Sequence, residues 1–359
     1  MRLCIVAKNM MRGGAERVIF QLIQYMLAQG HRVSLILVDD RPIQFDIPEA
    51  CHVTVIGQQS PSAWKDKLLR YRQVRRTVKA HNCEIVLSMP EEIGIYVLPA
   101  MLGTGIPVVV SERNNPWVMP NKKITRILRK MVYPFADGLI FQTSFAASFF
   151  SEKLRKKGII LPNPLDLKRL PPEYTGQREK VIAGAGRLAP QKNFKLLIDG
   201  FSVFYQKHPD YRLVIYGEGS LREELTAYAA RRLPEGICSF PGNVSDLPEH
   251  LNSVSAFVLS SDFEGMPNVL IEAMAMGVPC VSTDCPSGGP KELIENGVNG
   301  FLVPVGDAEA LAQSLEKLVT ETGVHPNAQE ICRRFDSLIV AAQWEDYLKK
   351  ILGRRKICR

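Results

Sequence analysis

The feature that most constrains the fold of this chain is a β-loop-α-β unit that opens it and then recurs. Residues 3–7 form a short apolar run, followed by a loop that contains Gly13 and Gly14. Apolar residues then recur at helical spacing over residues 15–29, and residues 33–38 form a second apolar run. Short strands that alternate with helices predict a parallel sheet covered by helices, an α/β fold.

The same alternation continues along the chain and restarts after a polar, proline-rich stretch at residues 165–178. The sequence therefore predicts two doubly wound, Rossmann-like domains, at residues 1–165 and 178–334. An amphipathic helix at residues 335–351 is expected to pack back against the N-terminal domain. Because ligands bind beyond the carboxyl ends of such strands, facing strand ends would form a central cleft.

The net charge of +8 is confined to the first half, where residues 1–165 hold 23 Lys and Arg against 12 Asp and Glu. A one-sided charge indicates an anionic partner: a membrane surface, a lipid diphosphate or nucleic acid. Two predicted helices concentrate it, with Lys65, Lys67, Arg70, Arg72, Arg75, Arg76 and Lys79 on one and Lys122, Lys123, Arg126, Arg129 and Lys130 on the other. Either these helices rest on an anionic leaflet, or they are ordinary outer-layer helices.

The cysteines and the apolar stretches indicate in which cellular compartment the protein is expected. The eight cysteines form no C-x-x-C and no zinc-type cluster with His, which favours free thiols in a reducing cytosol. No secretory leader is expected at the start of the sequence. The most apolar stretch, residues 93–110, is interrupted by Pro99, Gly103, Gly105 and Pro107, which favours a helix, a turn and a strand over a membrane span.

A glycine-rich turn follows the first strand of the second predicted domain. Gly184, Gly186 and Ala189 fit a dinucleotide fingerprint, but no acidic residue lies about 20 residues further on, as a NAD site requires. Arg187 and Lys192 in the same loop favour a diphosphate held by side-chain charge and backbone amides. The alternative is a solvated basic loop.

Two carboxylates, Glu264 and Glu272, flank a predicted helix start at Pro267 and Asn268. Sugar and ribose hydroxyls would suit Glu272, because its apolar neighbours make a bare charge costly. The alternative is that the two glutamates have only a structural role, Glu264 in a surface loop and Glu272 on a helix where it pairs with a nearby lysine. The Gly13–Gly14 turn has two interpretations: its glycines let a ligand approach the backbone closely, or they only form a tight turn. The loop of residues 284–292 indicates no function by itself.

Together these motifs resemble the family 4 glycosyltransferases of GT-B fold. The likeness is carried by S-x-x-E-G-x-P-x-x-x-x-E-A-M-A around Glu264 and Glu272, by G-R-L-x-x-x-K from Gly186, by G-G-A-E-R from Gly13, and by S-T-D-C-P and G-x-x-G-F-L-V at residues 282–286 and 297–303. It spans nearly the whole chain. It is similar to bacterial transferases that build capsule, exopolysaccharide or lipid-linked glycans, including the N-acetylgalactosamine transferases of N-glycan assembly.

The resemblance implies a retaining enzyme that needs neither a metal nor another cofactor. Arg187, Lys192 and Glu264 would be catalytic: the two cations would stabilise the leaving diphosphate, and Glu264 would contact donor-sugar hydroxyls. Glu272 would bind the ribose, and the loop with Asn243 and Val244 would frame the base. The implied donor-binding set is Gly13, Gly14, Gly186, Asn243, Val244, Gly265, Met266, Pro267, Asn268, Val269 and Glu272.

One position departs from the family pattern. Many relatives carry a His where this chain has Arg113, and an arginine cannot give up its proton as a base. The resemblance therefore leaves two acceptor-side readings. Either Arg113 binds an anionic acceptor group such as a lipid diphosphate, or Glu112 or Asn114 contacts the sugar.

The sequence thus predicts transfer of a hexose or N-acetylhexosamine from a nucleotide-sugar, UDP-linked by preference, to a lipid-linked acceptor. The expected location is the cytoplasmic face of the membrane, and no nucleic acid is expected as a partner, since no recognition motif is present. The alternatives are a GT-B UDP-sugar 2-epimerase and a non-catalytic sugar-nucleotide-binding protein.

Overall fold

The computed structural model describes residues 1–11, 13–286, 288–321 and 323–357. They form two compact units: Met1–Pro164 together with the chain from Ser337 onward, and Leu165–Asp336. Each unit contains one parallel sheet with helices on its faces, which confirms the predicted α/β class. No helix in the described residues combines the length and apolarity needed to cross a membrane.

The first unit contains a seven-stranded parallel sheet in the order β3-β2-β1-β4-β5-β6-β7. Its strands are β1 (Arg2–Ala7), β2 (Arg32–Leu37), β3 (His52–Val55), β4 (Ile85–Met89), β5 (Val108–Ser111), β6 (Gly138–Phe141) and β7 (Gly158–Ile160). Its first helices are α1 (Gly14–Ala28), α2 (Ala63–Ala80), α3 (Glu91–Met101), α4 (Lys123–Val132), α5 (Ser144–Ser148) and α6 (Glu152–Arg155).

The second unit contains a six-stranded parallel sheet in the order β10-β9-β8-β11-β12-β13. Its strands are β8 (Glu179–Ala185), β9 (Arg212–Tyr216), β10 (Cys238–Gly242), β11 (Val254–Leu259), β12 (Cys280–Thr283) and β13 (Phe301–Val303). Its helices are α7 (Phe194–Tyr205), α8 (Arg222–Arg232), α9 (Leu247–Asn252), α10 (Asn268–Ala275), α11 (Gly289–Leu293), α12 (Ala308–Thr320) and α13 (Ala328–Phe335).

The strand order reverses in each sheet between its first and fourth strands in sequence. That point lies between β1 and β4 in the first unit and between β8 and β11 in the second. A doubly wound sheet leaves a crevice at its carboxyl edge there, because the loops on either side diverge to opposite faces. The topology therefore gives each unit one preferred position for a ligand.

The last helix, α14 (Ser337–Ile357), belongs to the first unit. Trp344, Tyr347 and Leu348 lie with α1 in the core on one face of the first sheet. The sequence places a single helix over residues 335–351, but the structure breaks it at Asp336, whose backbone is extended. Leu338 near the start of α14 is exposed, whereas Trp344 is almost fully buried.

Two further segments differ from expectation. Strand β3 is not foreseen from the sequence, because an edge strand that is mostly half-exposed carries little apolar signal. Residues 165–178, expected as a linker, fold with the second unit. The amide of Leu165 donates to the carbonyl of Phe335 at 2.7 Å, and Arg178 donates to the carbonyls of Asn252, Val254 and Gly277.

Candidate active site

The predicted diphosphate loop lies at the crevice position of the second sheet, directly after β8. Gly186 follows the strand with a φ of +151°, a conformation that L side chains rarely adopt. A Cβ on Gly217, after β9, would overlap the carbonyl oxygen of Gly186. The loops after β8 and β9 thus touch backbone to backbone, and only glycine permits this approach.

Lys192 ends a short 3-10 turn (Pro190–Lys192) that leads into α7. The next residue, Asn193, adopts a left-handed conformation with φ +42° and caps α7, because its side chain accepts a hydrogen bond from the amide of Leu196. The cap fixes the backbone conformation at the end of the turn, and with it the position of the Cα and Cβ atoms of Lys192. The turn therefore determines the direction in which Lys192 leaves the backbone.

Lys192 forms an ion pair with Glu264, whose Oε1 also accepts a hydrogen bond from the Ser261 hydroxyl at 2.9 Å. The Lys192 and Glu264 side chains are 18% and 11% exposed, and Ser261 is fully buried. Within the described residues, Oε2 of Glu264 accepts no hydrogen bond from the protein. The carboxylate is thus held through one oxygen and retains acceptor capacity at the other.

Three more hydrogen bonds tie the loop after β8 to the loop after β11. The Gln191 side chain donates to the carbonyl of Phe263 at 2.9 Å, and the Asn193 amide donates to Asp262 at 2.7 Å. The Ser260 hydroxyl donates to the carbonyl of Lys192 at 2.8 Å. The sequence analysis named none of Gln191, Asn193, Ser260 and Asp262 as site residues, although the Asn that precedes α7 was an available signal.

Arg187 lies on the same loop but is exposed, and its guanidinium makes no hydrogen bond or ion pair with any described residue. On the other side of the crevice, α10 begins at Asn268 with Pro267 as its N-cap, as predicted. Gly265, Met266 and Pro267 are buried before it. The Gly288–Gly289 pair packs here, since a Cβ on Gly289 would overlap the carbonyl oxygen of Gly265.

The other predicted donor residues occupy separate loops. Val269 and Glu272 lie half-buried on α10, while Asn243 is exposed and Val244 half-buried after β10. In the first unit, Gly13 caps α1 and Gly14 begins it. A Cβ on Gly13 would meet only the end of the flexible Glu16 side chain, which can move aside, so packing does not require a glycine at this position.

Glu112 has a different environment from the one expected of an acceptor contact. It is 1% exposed after β5, pairs with Arg129 at 3.2 Å and accepts a hydrogen bond from Tyr133. Burial raises the pKa of its carboxyl to about 8, although Arg129 opposes the shift. Both oxygens are engaged and closed to solvent, so the contact predicted for Glu112 is incompatible with this geometry.

Arg113 is also buried, and its guanidinium donates to Asn163 and lies 5.7 Å from the ring of Trp344. Its Nε and Nη1 have no partner among the described residues. Burial lowers its pKa to about 9, and Glu91 opposes this shift. Asn114 is half-buried, and its side chain accepts the amide of Asn115 at 2.8 Å. Of the three acceptor candidates, Arg113 and Asn114 retain the predicted role as a hypothesis.

Among the described residues, no three His, Cys, Asp or Glu side chains lie together as a metal site would require. The loop after β8 carries two cations, Lys192 and the exposed Arg187, and Lys192 contacts a carboxylate with a free oxygen. This combination suits a diphosphate bonded to a polyhydroxy group.

Comparison with known families agrees with this geometry. The model of the Glycosyltransferase Family 4 matches residues 12–169, and that of the Glycosyl transferases group 1 matches residues 179–321. The chain belongs to the family 4, group 1 glycosyltransferases. The two matched segments follow the two units, and the second of them contains Lys192 and Glu264.

Several relatives of this glycosyltransferase act on lipid-linked glycans. It is 26% identical, over 96% of its length and 97% of the relative, to a Campylobacter jejuni α-1,4-N-acetyl-D-galactosaminyltransferase whose name gives GalNAc-α-(1→4)-GalNAc-α-(1→3)-diNAcBac-PP-undecaprenol as acceptor. A second transferase of that organism, named for N-acetylgalactosamine-N,N'-diacetylbacillosaminyl-diphospho-undecaprenol, is 28% identical over 95% of this chain and 96% of its own.

Solved structures show the same GT-B fold. HepE of Anabaena, determined in complex with UDP, superposes with a TM-score of 0.83 at 19% identity and covers 98% of this chain and 100% of its own. The lipopolysaccharide outer core galactosyltransferase WaaB superposes with a TM-score of 0.78 at 21% identity, covering 98% and 99%. The predicted family and fold are both confirmed.

Proposed function

We propose that this glycosyltransferase transfers a hexose or N-acetylhexosamine from a UDP-sugar to a lipid-linked glycan, with retention of anomeric configuration and without a metal or other cofactor. The observation that carries the proposal is the Lys192–Glu264–Ser261 cluster at the crevice of the second sheet, with Arg187 uncommitted beside it. HepE, which shares the fold, was solved with UDP and with UDP-glucose.

The two cations act on the leaving group. When the bond between the sugar and the diphosphate breaks, negative charge develops on the departing phosphate oxygen. The capped turn fixes the backbone of Lys192, and Arg187 has no hydrogen bond or ion pair with any described residue. These features support a role for both side chains in stabilising the charge on the phosphate oxygen, because few existing contacts would have to change. Positive charge from the protein takes the place that a divalent ion holds in other transferases.

Glu264 orients the donor sugar. Its Oε1 is taken by Lys192 and Ser261, which leaves Oε2 for a sugar hydroxyl. Glu272 lies at the start of the second turn of α10, and a ribose hydroxyl is its proposed partner. Neither carboxylate is assigned as a base, and the proposal for retention is departure and attack on the same face of the sugar.

The acceptor is proposed to contact the first unit through Arg113 and Asn114. The Nε and Nη1 atoms of Arg113 have no partner among the described residues, which favours an anionic or carbonyl acceptor group, because a buried guanidinium gains most from an added acceptor. The two Campylobacter relatives use diphospho-undecaprenol acceptors. A lipid-borne acceptor in turn places the enzyme at a membrane surface, with the basic side chains of α2 and α4 toward anionic lipid.

A donor screen tests the proposal. The purified chain is incubated with EDTA, a bacterial lipid extract and a panel of UDP-, GDP- and ADP-sugars, and free nucleotide is measured. Release from one UDP-sugar that depends on the lipid and is lost in Lys192→Ala is the expected result. The matched control is Lys195→Ala, which changes a half-buried lysine of α7 that pairs with Glu224 of α8.

Other outcomes separate the alternatives. Binding of UDP-sugar without release, in the presence of every lipid fraction, would favour a non-catalytic sugar-nucleotide-binding protein. Conversion of a UDP-sugar to its 2-epimer without acceptor would favour the epimerase. Product whose anomeric proton shows inverted configuration by NMR would contradict the retaining mechanism alone.

A further inference from the structure

Two aromatic side chains of the first unit, Trp117 and Phe145, are exposed side by side. They are 42% and 44% exposed, and their ring centroids lie 4.7 Å apart with the ring planes tilted by 34°. Single exposed apolar residues are common on protein surfaces, whereas two adjoining exposed rings form a contiguous apolar surface of the kind that binds a partner. We call Trp117 and Phe145 the aromatic pair.

The aromatic pair lies at the edge of the sheet where this topology binds ligands. Trp117 lies in the loop that follows β5, and Phe145 is the second residue of α5, which follows β6. The two strands are parallel neighbours in the first sheet. Ligands of doubly wound sheets bind beyond the carboxyl ends of the strands. The aromatic pair is therefore on the ligand-binding edge, and Trp117 shares its loop with the acceptor candidates Arg113 and Asn114.

Further aromatic rings support Trp117 from the side of the core. Its ring meets that of Phe149 edge-on, with the centroids 5.1 Å apart. Phe149 in turn lies 5.0 Å from the ring of Phe150, which is buried, and 4.7 Å from the guanidinium of Arg129. Trp117 is thus packed on a base that continues into the core, so its exposed part has a defined orientation.

Hydrogen bonds fix the backbone of the loop that carries Trp117. The Trp117 amide donates to the side-chain oxygen of Asn115 at 3.0 Å. Arg126 and Arg129 of α4 donate to five carbonyls of this loop, those of Pro116, Val118, Met119, Pro120 and Asn121. The two arginines, which the sequence groups with the exposed lysines of α4, therefore serve the loop. Binding to the aromatic pair costs little ordering as a result.

Asn114 supplies a polar group on the same loop. It is half-buried, and its side-chain oxygen accepts the amide of Asn115 at 2.8 Å, while its NH2 group donates to no described residue. A pyranose ring presents a face of C–H groups and a rim of hydroxyls. The C–H face packs on aromatic rings and the hydroxyls accept hydrogen bonds from an amide, so aromatic side chains beside a few polar groups suit a sugar.

We propose that Trp117 and Phe145 form a stacking platform for a neutral pyranose ring of the acceptor glycan, and that the side-chain amide of Asn114 donates to the hydroxyls of that ring. The inference rests on the proposed function, because it assigns a place to the glycan that receives the transferred sugar. A neutral ring suits the platform, since an anionic group would lose its hydration against the two apolar rings.

Tryptophan fluorescence reports binding directly, because Trp64 and Trp117 are exposed while Trp344 is buried. The full-length Trp64→Phe variant, whose exposed tryptophan is Trp117, is titrated with neutral oligosaccharides of galactose, N-acetylgalactosamine and N-acetylglucosamine. A saturable blue shift of the emission with at least one of them is the expected result. Adding Phe145→Ala should weaken that binding by about tenfold. The Trp117→Phe variant, which reports Trp64, is the control and should show no shift.

The transfer assay separates the acceptor from the donor. Nucleotide release from the UDP-sugar is measured against the concentration of the bacterial lipid extract. Trp117→Ala should raise the half-saturating concentration of the extract by about tenfold. Its KM for the UDP-sugar should stay that of the wild type, which also shows that the variant is folded. Trp117→Phe, which keeps a ring, should recover most of the loss.

The matched control for the transfer assay is Phe135→Ala. It removes a ring of the first unit that is 59% exposed and lies outside the aromatic pair. Its half-saturating concentration of extract should equal that of the wild type. An equal rise in Phe135→Ala and Trp117→Ala would mean that exposed apolar area in general, and not the platform, promotes contact with the lipid extract.

The remaining outcomes contradict the platform or the transfer separately. No emission change with any oligosaccharide, or an unchanged half-saturation in Trp117→Ala, contradicts the platform. A blue shift of Trp117 with phosphatidylglycerol vesicles but with no oligosaccharide would assign the rings to lipid instead. Self-association that Trp117→Ala abolishes in sedimentation would assign them to a second copy of the chain. A wild type that binds oligosaccharide but releases no nucleotide from any donor would contradict the proposed transfer alone.

Discussion

The two units share one topology but use the charges near its crevice in opposite ways. In the second unit, Lys192 and Glu264 are partly exposed, and one carboxylate oxygen remains available. In the first unit, Arg129 and Glu112 are each 1% exposed, and every oxygen of the carboxylate is engaged. A pair that water and substrate can reach can do chemistry, whereas a fully buried pair only fixes the local structure.

The largest expected effect is the loss of stability on Arg129→Met. In the wild type the pKa of Glu112 is raised to about 8, so the carboxyl is ionised at pH 9 and Arg129 stabilises its charge. Without Arg129 the pKa rises further, and at pH 9 the folded state must either hold an unpaired buried charge or keep the carboxyl protonated. The free energy of unfolding at pH 9 should fall by about 3–5 kcal/mol, measured by urea denaturation. At pH 6 the deficit should be smaller, because the carboxyl is protonated in the folded state.

The double variant Glu112→Gln/Arg129→Met is the control for this prediction. It removes both charges together and should recover most of the lost stability at pH 9. Equal destabilisation of the single and double variants would mean that charge does not dominate, and that the loss comes from the packing of Arg129 against Phe149 and its hydrogen bonds to the carbonyls of Pro116 and Met119.

The second largest effect is on catalysis. Lys192→Ala should lower kcat/KM for the donor by about 10²–10³, since it removes a positive charge from the site of developing negative charge. Nucleotide release and the unfolding midpoint are measured on the same preparation, and only the first should change greatly. If Lys192→Ala lost as much stability as Arg129→Met, the Lys192–Glu264 pair would have a structural role like that of the Arg129–Glu112 pair.

Glu345 on α14 extends the comparison to a third polar cluster. Burial opposes its ionisation, but hydrogen bonds from Lys349, His31 and Tyr25 lower its pKa to about 2. Its stabilising contribution is complete above pH 4.5, the unperturbed value, and is lost as pH falls toward 2. Glu345→Gln should cost about 2 kcal/mol at pH 7 and flatten the pH dependence of stability between pH 4.5 and 2.

The control for Glu345 is Asp346→Asn, which changes the neighbouring acid on the same helix. It should retain the dependence of the unfolding free energy on pH between 4.5 and 2. A Glu345→Gln variant with the same pH profile as the wild type would show that α14 is held by apolar packing of Trp344 and Leu348 alone.

The smallest expected effect is that of Ser261→Ala. Loss of one hydrogen bond to Glu264 should cost about 1 kcal/mol of transition-state stabilisation, or about fivefold in kcat/KM. Ser261→Thr, which keeps the hydroxyl, should retain more activity than the alanine variant. Activity equal to that of the wild type in Ser261→Ala would show that the ion pair with Lys192 alone positions the carboxylate.

The sequence by itself determined the fold class and the positions of the loops that carry Lys192 and Glu264. The alternation of apolar strands and amphipathic helices is local, and the motifs around Gly186, Lys192 and Glu264 each lie within a few residues of a strand end. The periodicity of apolar residues and the spacing of glycines predict such local structure directly. The start of α10 at Asn268 was predictable for the same reason.

Only the tertiary structure decided which charges are available. Arg126, Arg129 and Lys130 are equivalent in the sequence as cations of one helix, yet the first two are bound to loop carbonyls and Glu112, and only Lys130 is exposed. Likewise, Glu264 pairs with Lys192 across 72 residues of sequence only because β8 and β11 are neighbours in the sheet. The burial of a side chain and its hydrogen-bond partners depend on contacts between segments that are distant in the sequence, so they cannot be predicted from the periodicity of apolar residues.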